Sequence, residues 1–453
     1  MRFLCVWGIR AMNILIVGNG FDLSHYLPTK YDHFMVAMDA IENWDEWSDE
    51  INFDDIFGTL YEKEGYFFGY TKSIYKTEKI KFSSAKIENL KQKLESNVWY
   101  KYFSEHYNKL DTWIDFEQKI NEALNQILRL IEIYNKSRER VSLLENLICE
   151  YKSDEFEIIN LPNDLLRKLS YLGILETHDN FSCAFLGGIE PQEKWKFSKD
   201  YIISDDSDYD EGMNILDLRV NEIFKTLSDQ LEDFSELFSF YLNNIVCNLK
   251  PKKKFKKIGI GVNTEIYSFN YTNILKSYYF LDNKISFLHG SLEKSNIILG
   301  VADISDKLRE YKPYQFVKYA QKILKETDYK FLEESKLIQE IYDEAKYSSG
   351  YEEYYVDPQD VKIAIWGHSL DQSDSNYIKE LFSLNNEKIN AFITIYVHNK
   401  NAKKDMLYNL FNILGQSEVE KWMKKGWLKF EPNPDIAKLN NIEPVELPKL
   451  AEA

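Results

Sequence analysis

Asn13-Ile14-Leu15-Ile16-Val17-Gly18-Asn19-Gly20-Phe21-Asp22-Leu23 is the stretch on which the fold turns. Residues 13–17 form an apolar, β-branched-rich run whose length suits a buried strand. Gly18, Asn19 and Gly20 break that run, and Asp22 or Ser24 is placed to cap a following helix. A strand, a glycine turn and a helix start bring several backbone N–H groups to one point, which suits an anion such as phosphate. The dinucleotide fingerprint G-x-G-x-x-G requires glycine at position 23, and this chain carries Leu23. Taken alone, the turn reads equally well as a plain strand-to-helix connection of an α/β sheet.

The same grammar returns late in the chain. Ile266–Phe269 predicts a strand ending in Asn270-Tyr271-Thr272-Asn273, and Ile285–Leu288 one ending in His289-Gly290-Ser291. Asn296–Val301 reads as a third, and Val361–Trp366 as one ending in Gly367-His368-Ser369-Leu370. Phe392–Val397 and an edge strand at Trp427–Phe430 complete the set. In a parallel sheet the C-terminal strand ends converge on one crevice. Gly18-Asn19-Gly20, Asn270, His289-Gly290 and Gly367-His368-Ser369 would then assemble a single site from distant positions. That joint pattern outweighs the ordinary alternative, a His289 satisfied by a backbone carbonyl. Ser24–Tyr31, with Pro28 fixing φ, reads as a loop across the mouth of the strand ends, where His25 and His33 could face a ligand. For either histidine alone, a capping or surface role is the stronger reading.

Between the two blocks, Ile87–Phe103, Trp113–Tyr134, Arg140–Cys149 and Leu216–Leu249 space apolar residues at helical intervals. Asp115 and Glu117 fall in the first turn of one such helix, where carboxylates complement the dipole. Phe316–Tyr347 predicts a further helical segment. The expected architecture is α/β: a Rossmann-like parallel sheet from residues 12–34 and 258–430, interrupted by an all-α insertion over 35–257. Residues 1–11 read as an extension ahead of an alternative start at Met12, and 431–453 as a C-terminal tail. Gly187-Gly188 and the acidic Ser204–Glu211 stretch read as loops.

A net charge of −17 over 453 residues argues against broad nucleic-acid binding. One basic run, Lys250–Lys257, interrupts the acidic background; a solvated linker is its first reading and a nucleic-acid or acidic-partner contact its second. The four cysteines stand far apart with no C-x-x-C pair, so a zinc ribbon is not expected and a reduced, cytoplasmic setting is. No apolar run is long enough for a membrane span.

Several of these segments together resemble the bacteriophage abortive-infection AbiH family: Gly18–Leu23 with Leu27-Pro28-Thr29, Trp113–Glu117, Phe269–Asn273, His289–Leu292 and Gly367–Leu370. Through it, the chain resembles the sirtuin fold, at Gly18–Asp22, at Ser268–Thr272, at His289-Gly290 and at Gly367–Leu370. The resemblance implies a phage-defence effector that binds NAD as substrate, without zinc, and cleaves its nicotinamide–ribose bond. It implies Asn270 on the ribose or attacking water and His289 as general base. It further implies Gly18, Asn19, Gly20, Phe21 and Asp22 with Gly290 around the nucleotide, and Gly367, His368 and Ser369 along its ribose or adenine side. Asn19, Asp22 and Thr272 depart from the sirtuin pattern, so another nucleotide stays open as the ligand. Two other readings are a metal-assisted nuclease using Asp22, Asp115 or Glu117, and a nucleotide-sensing or partner-binding module. A homo-oligomer formed through the helices, and a second defence protein or phage trigger as partner, are expected.

Overall fold

The computed structural model describes residues 12–45, 49–105, 113–138, 148–152, 155–158, 161–177, 195–205, 215–256, 258, 260–348 and 357–449. The extension read at 1–11, the Gly187-Gly188 loop and most of the helix expected at Arg140–Cys149 lie outside them. The chain forms two compact units, one of residues 1–88, 238–298 and 319–453, the other of 89–237 and 299–318.

The first unit is built on six parallel strands: β1 (Ile14–Val17), β2 (Glu265–Ser268), β3 (Ile285–Phe287), β4 (Gln359–Trp366), β5 (Ile389–Val397) and β6 (Leu428–Pro432). Their spatial order is β3-β2-β1-β4-β5-β6, the doubly wound order of dinucleotide-binding sheets. β1 is buried along its whole length, as a central parallel strand covered on both faces must be. Order reverses between β1 and β4, so the crevice of such a sheet lies at their C-terminal ends. A core of Ile14, Ile16, Ile363, Ile365, Ile393 and Ile395 runs through the middle of the sheet, closed by Tyr377, Leu381 and Trp422.

The α/β reading with a parallel sheet and helical insertions therefore holds, with two corrections. Asn296–Val301 is buried but joins no sheet; only Val301 makes a bridge, to Val317. Its backbone bonds go instead to turns, such as Ile298 N–H to His289 O at 3.0 Å. The insertion is also not helical throughout. Ile148–Lys152, Glu155–Ile158, Trp195–Phe197 and Leu175–Thr177 form an antiparallel sheet in that order, and Ile202–Asp205 pairs with Ile215–Leu218. Glu50–Asn52 pairs with Lys81–Ser83 as well.

In the second unit, helix Trp113–Arg138 packs Phe116 against Phe103 (4.1 Å between ring centres) and Phe234 (5.3 Å). Glu117 is ion-paired with Lys318. In the first unit the tail is docked: Ser73 Oγ donates to Glu443 O at 2.6 Å, and Val445 N–H to Gly69 O at 3.2 Å. Among the described residues, no helix is long and apolar enough to cross a membrane.

Candidate functional site

The glycine turn after β1 is packed against the turn after β4. Gly20 N–H donates to Gly367 O at 2.8 Å and Gly18 N–H to Trp366 O at 3.1 Å, while Phe21 N–H returns to Gly18 O at 2.8 Å. Two of the backbone donors expected to hold phosphate, Gly18 N–H and Gly20 N–H, thus make bonds within the protein. Gly367 has φ +76°, and a Cβ there would stand 2.0 Å from Phe21 N; only glycine permits so close an approach. Gly290 is held likewise, at φ +81° with Asn296 O 2.0 Å from the position of a Cβ. Asn19 turns its amide to Thr29 O at 3.1 Å, and the Phe21 ring is buried edge-on against Trp366. Ser369 is exposed, with its carbonyl accepting from Asn409 at 3.2 Å.

Two polar clusters flank this contact. In the first, Asp22 is buried and accepts from Asn270 Nδ2 at 2.7 Å and from Thr272 Oγ1 at 2.6 Å. Asn270 Nδ2 also donates to Gly18 O at 2.9 Å, so that amide holds the glycine turn. Burial pushes the Asp22 carboxyl up to about 7, against the pull of the two donors. Three residues on, His25 bonds Phe21 O through Nδ1 at 2.7 Å and Tyr279 OH through Nε2 at 2.6 Å. A carbonyl only accepts, so Nδ1 carries the proton and Nε2 accepts from the tyrosine. Burial holds His25 down to about 4, and it is a neutral core histidine.

The second cluster joins three strand connections. His289 Nε2 lies 2.9 Å from Asp374 Oδ1, and His368 Nε2 lies 3.4 Å from Asp374 Oδ2. His368 Nδ1 accepts from Leu370 N–H at 3.0 Å, which fixes the proton on Nε2, facing the carboxylate. Asp374 occupies the N-cap of helix Ser375–Phe382 without capping it through its side chain. The helix N-terminus instead favours the carboxylate's charge while its oxygens serve the histidines. Phe269 places its ring 4.0 Å from His368 and 5.0 Å from His289. Neighbouring positions 269 and 270 thus serve different clusters.

Helix Lys318–Leu324, between His289 and His368 in sequence, is turned inside out: Lys318, Gln321 and Lys322 are buried, while Tyr319, Ile323 and Leu324 are exposed. Lys322 Nζ stands 4.4 Å from the centre of the Tyr377 ring, which itself packs on Phe269.

The structure therefore brings His289, His368 and the glycine turns to one sheet edge, and assigns Asn270 to Asp22. Sequence reasoning missed Asp374 and Phe269. The only signal for Asp374 was that a base such as His289 needs an orienting carboxylate. Of the nuclease candidates, Asp22 is enclosed by donors, Glu117 is matched by Lys318, and the Asp115 side chain lies outside the described residues. Asp32, His33 and Glu64 offer ligand atoms within 4.8 Å of one another, but Lys63 pairs with Asp32 and Lys30 with Glu64. Burial would raise Glu64, yet the hydrogen bonds from His33 and Lys30 prevail and hold it near 2.

The model of the family described as bacteriophage abortive infection AbiH matches residues 14–396. No curated protein and no solved structure matches the chain.

Proposed function

The chain belongs to the AbiH family of bacteriophage abortive-infection proteins, and we propose that it acts there as a nucleotide hydrolase, cleaving the nicotinamide–ribose bond of NAD. The observation that carries this reading is the Asp374 carboxylate bridging His289 and His368 at the C-terminal edge of a doubly wound sheet. With Nε2–H donated to Asp374, the basic lone pair of His289 lies on Nδ1, the tautomer a general base needs. In the reaction, water adds to the ribose carbon as nicotinamide departs with the bonding pair. His289 takes the water's proton, and Asp374 stabilises the imidazolium that results. Lys322 supplies positive charge for the nucleotide phosphates from beyond Tyr377. Asn270 acts as a positioning residue, holding Asp22 and the Gly18 carbonyl.

Both imidazoles are nearly covered, at 7% and 5% exposure. A substrate reaches them only in an opened state, which suits an effector that stays silent until infection. The test is incubation of purified protein with NAD, following nicotinamide release with and without EDTA. Release by the wild type, unaffected by EDTA and absent from His289→Ala, is expected. Release that survives His289→Ala, or that EDTA stops, rejects the reading.

A further inference from the structure

The basic run is fastened down rather than strung out as a linker. Lys76 N–H donates to Lys250 O at 3.1 Å and Lys252 N–H to Ile74 O at 2.8 Å, with Tyr75 bridged to Pro251. Phe255 is buried among His25, Tyr75, Tyr278 and Tyr279. That anchor leaves Lys252, Lys253, Lys254 and Lys256 exposed on a fixed surface. Beside it is a cavity of about 210 Å³, lined by Ile258, Ile260, Val262, Tyr279, Phe280, Leu281, Asp282 and Asn283, with the one carboxylate of Asp282 outnumbered by the neighbouring lysines. These residues precede β2 and β3, so the cavity belongs to the edge of the sheet opposite His289.

Phe280 is the unusual member. It adopts φ +53°, a conformation costly for a phenylalanine, and remains 67% exposed. Lys254 Nζ lies 4.8 Å from the centre of its ring. Val262, on the cavity's other side, is 90% exposed. The left-handed backbone ends helix Ile274–Tyr279, with Phe280 N–H donating to Lys276 O at 3.1 Å, and this cap leaves the ring turned to solvent. Fixed lysines beside an exposed aromatic and a small apolar recess are what a single strand requires: phosphates on the cations and a base on the ring. The cavity is smaller than the roughly 300 Å³ at which drug-sized pockets begin, a scale closer to one base than to a dinucleotide. A duplex keeps its bases stacked inside and cannot use the recess. The strongly acidic remainder of the chain would confine binding to this patch.

We propose that Lys252, Lys253, Lys254, Lys256 and Phe280 form a single-stranded nucleic-acid site, with one base seated in the cavity beside Phe280. This site is independent of any activity at His289. The experiment is fluorescence anisotropy with fluorescein-labelled oligo-dT and oligo-U of 20 nucleotides, across a sodium chloride series. The wild type is expected to bind with an affinity that falls linearly in log salt. The combined Lys252→Glu, Lys253→Glu, Lys254→Glu variant should bind at least about thirtyfold more weakly, with a shallower salt slope. Phe280→Ala should lose about tenfold with the slope unchanged, as for one stacked base. Melting curves confirm that these surface variants fold. Absence of salt-dependent binding, or variants that bind like wild type, overturns the proposal. So does tighter binding to a 20-base-pair duplex or to phosphatidylserine vesicles.

Discussion

Asp374 and His289 are 85 residues apart in the chain and 2.9 Å apart in space. The contact is made because Asp374 leaves the cap of its own helix unformed and turns to two histidines, His289 after β3 and His368 earlier in its own connection after β4. Asp374→Asn keeps the shape but loses the charge that orients His289 and supports its protonation. Nucleotide hydrolysis is expected to fall by about a hundredfold with KM little changed, and by about a thousandfold in His289→Ala. Steady-state kinetics on both variants check this, with melting curves as the control for folding.

Asn270 is expected to matter first for structure. Asn270→Ala removes one of two side-chain donors from a buried carboxyl and one of two donors from the Gly18 carbonyl, which keeps Phe21 N–H, at a cost of about 2 kcal/mol. Denaturant unfolding should show that loss. An Asn270→Ala protein as stable as wild type would return the side chain to a role on the substrate.

Asp22 and His25 titrate in opposition on one short helix. Asp22 is raised from 3.8 to about 7, so its contribution to stability is full below about pH 4 and is lost as pH rises toward 7. His25 is lowered from 6.5 to about 4, so its contribution is full above pH 6.5 and is lost as pH falls toward 4. The two slopes offset each other between pH 4 and 7. Asp22→Asn removes the first alone, and its melting temperature should climb more steeply than wild type from pH 4.5 to 6.5. Parallel curves for the two proteins would contradict the assignment.

Gly367 and Gly415 separate close contact from backbone strain. Both have positive φ, but a Cβ at Gly367 meets Phe21 N at 2.0 Å, whereas at Gly415 nothing lies within 4 Å. Gly415 has φ +84° and ψ +147°, a backbone conformation open essentially to glycine alone, so Gly415→Ala should cost about 1–3 kcal/mol from backbone strain. Gly367→Ala should cost more, because the β1 and β4 turns must also separate. Comparable losses in urea unfolding would count against the observed contact.

The sheet was legible because each strand couples an apolar run to a glycine or polar stop, from Val17-Gly18 to Trp366-Gly367. Strand ends are where a parallel sheet gathers function, so His289 and His368 were legible too. Asn296–Val301 misled because burial alone makes a run apolar, whether or not it joins a ladder. Asp374 was hidden because aspartate at a helix start is ordinary capping chemistry, and only the fold shows that its carboxylate is used elsewhere. Helix Lys318–Leu324 falls within the helical segment read at Phe316–Tyr347, but its orientation was hidden, because Tyr319, Ile323 and Leu324 are on the outside, the reverse of what periodicity assumes.

The most direct measurement is the NAD content of phage-infected cells that carry the wild type or Asp374→Asn at equal protein levels. Collapse of NAD after infection in wild-type cells, with NAD maintained and phage released from Asp374→Asn cells, is the expected result. Equal collapse in both, or phage resistance in wild-type cells whose NAD stays constant, would contradict a hydrolytic site built on His289 and Asp374.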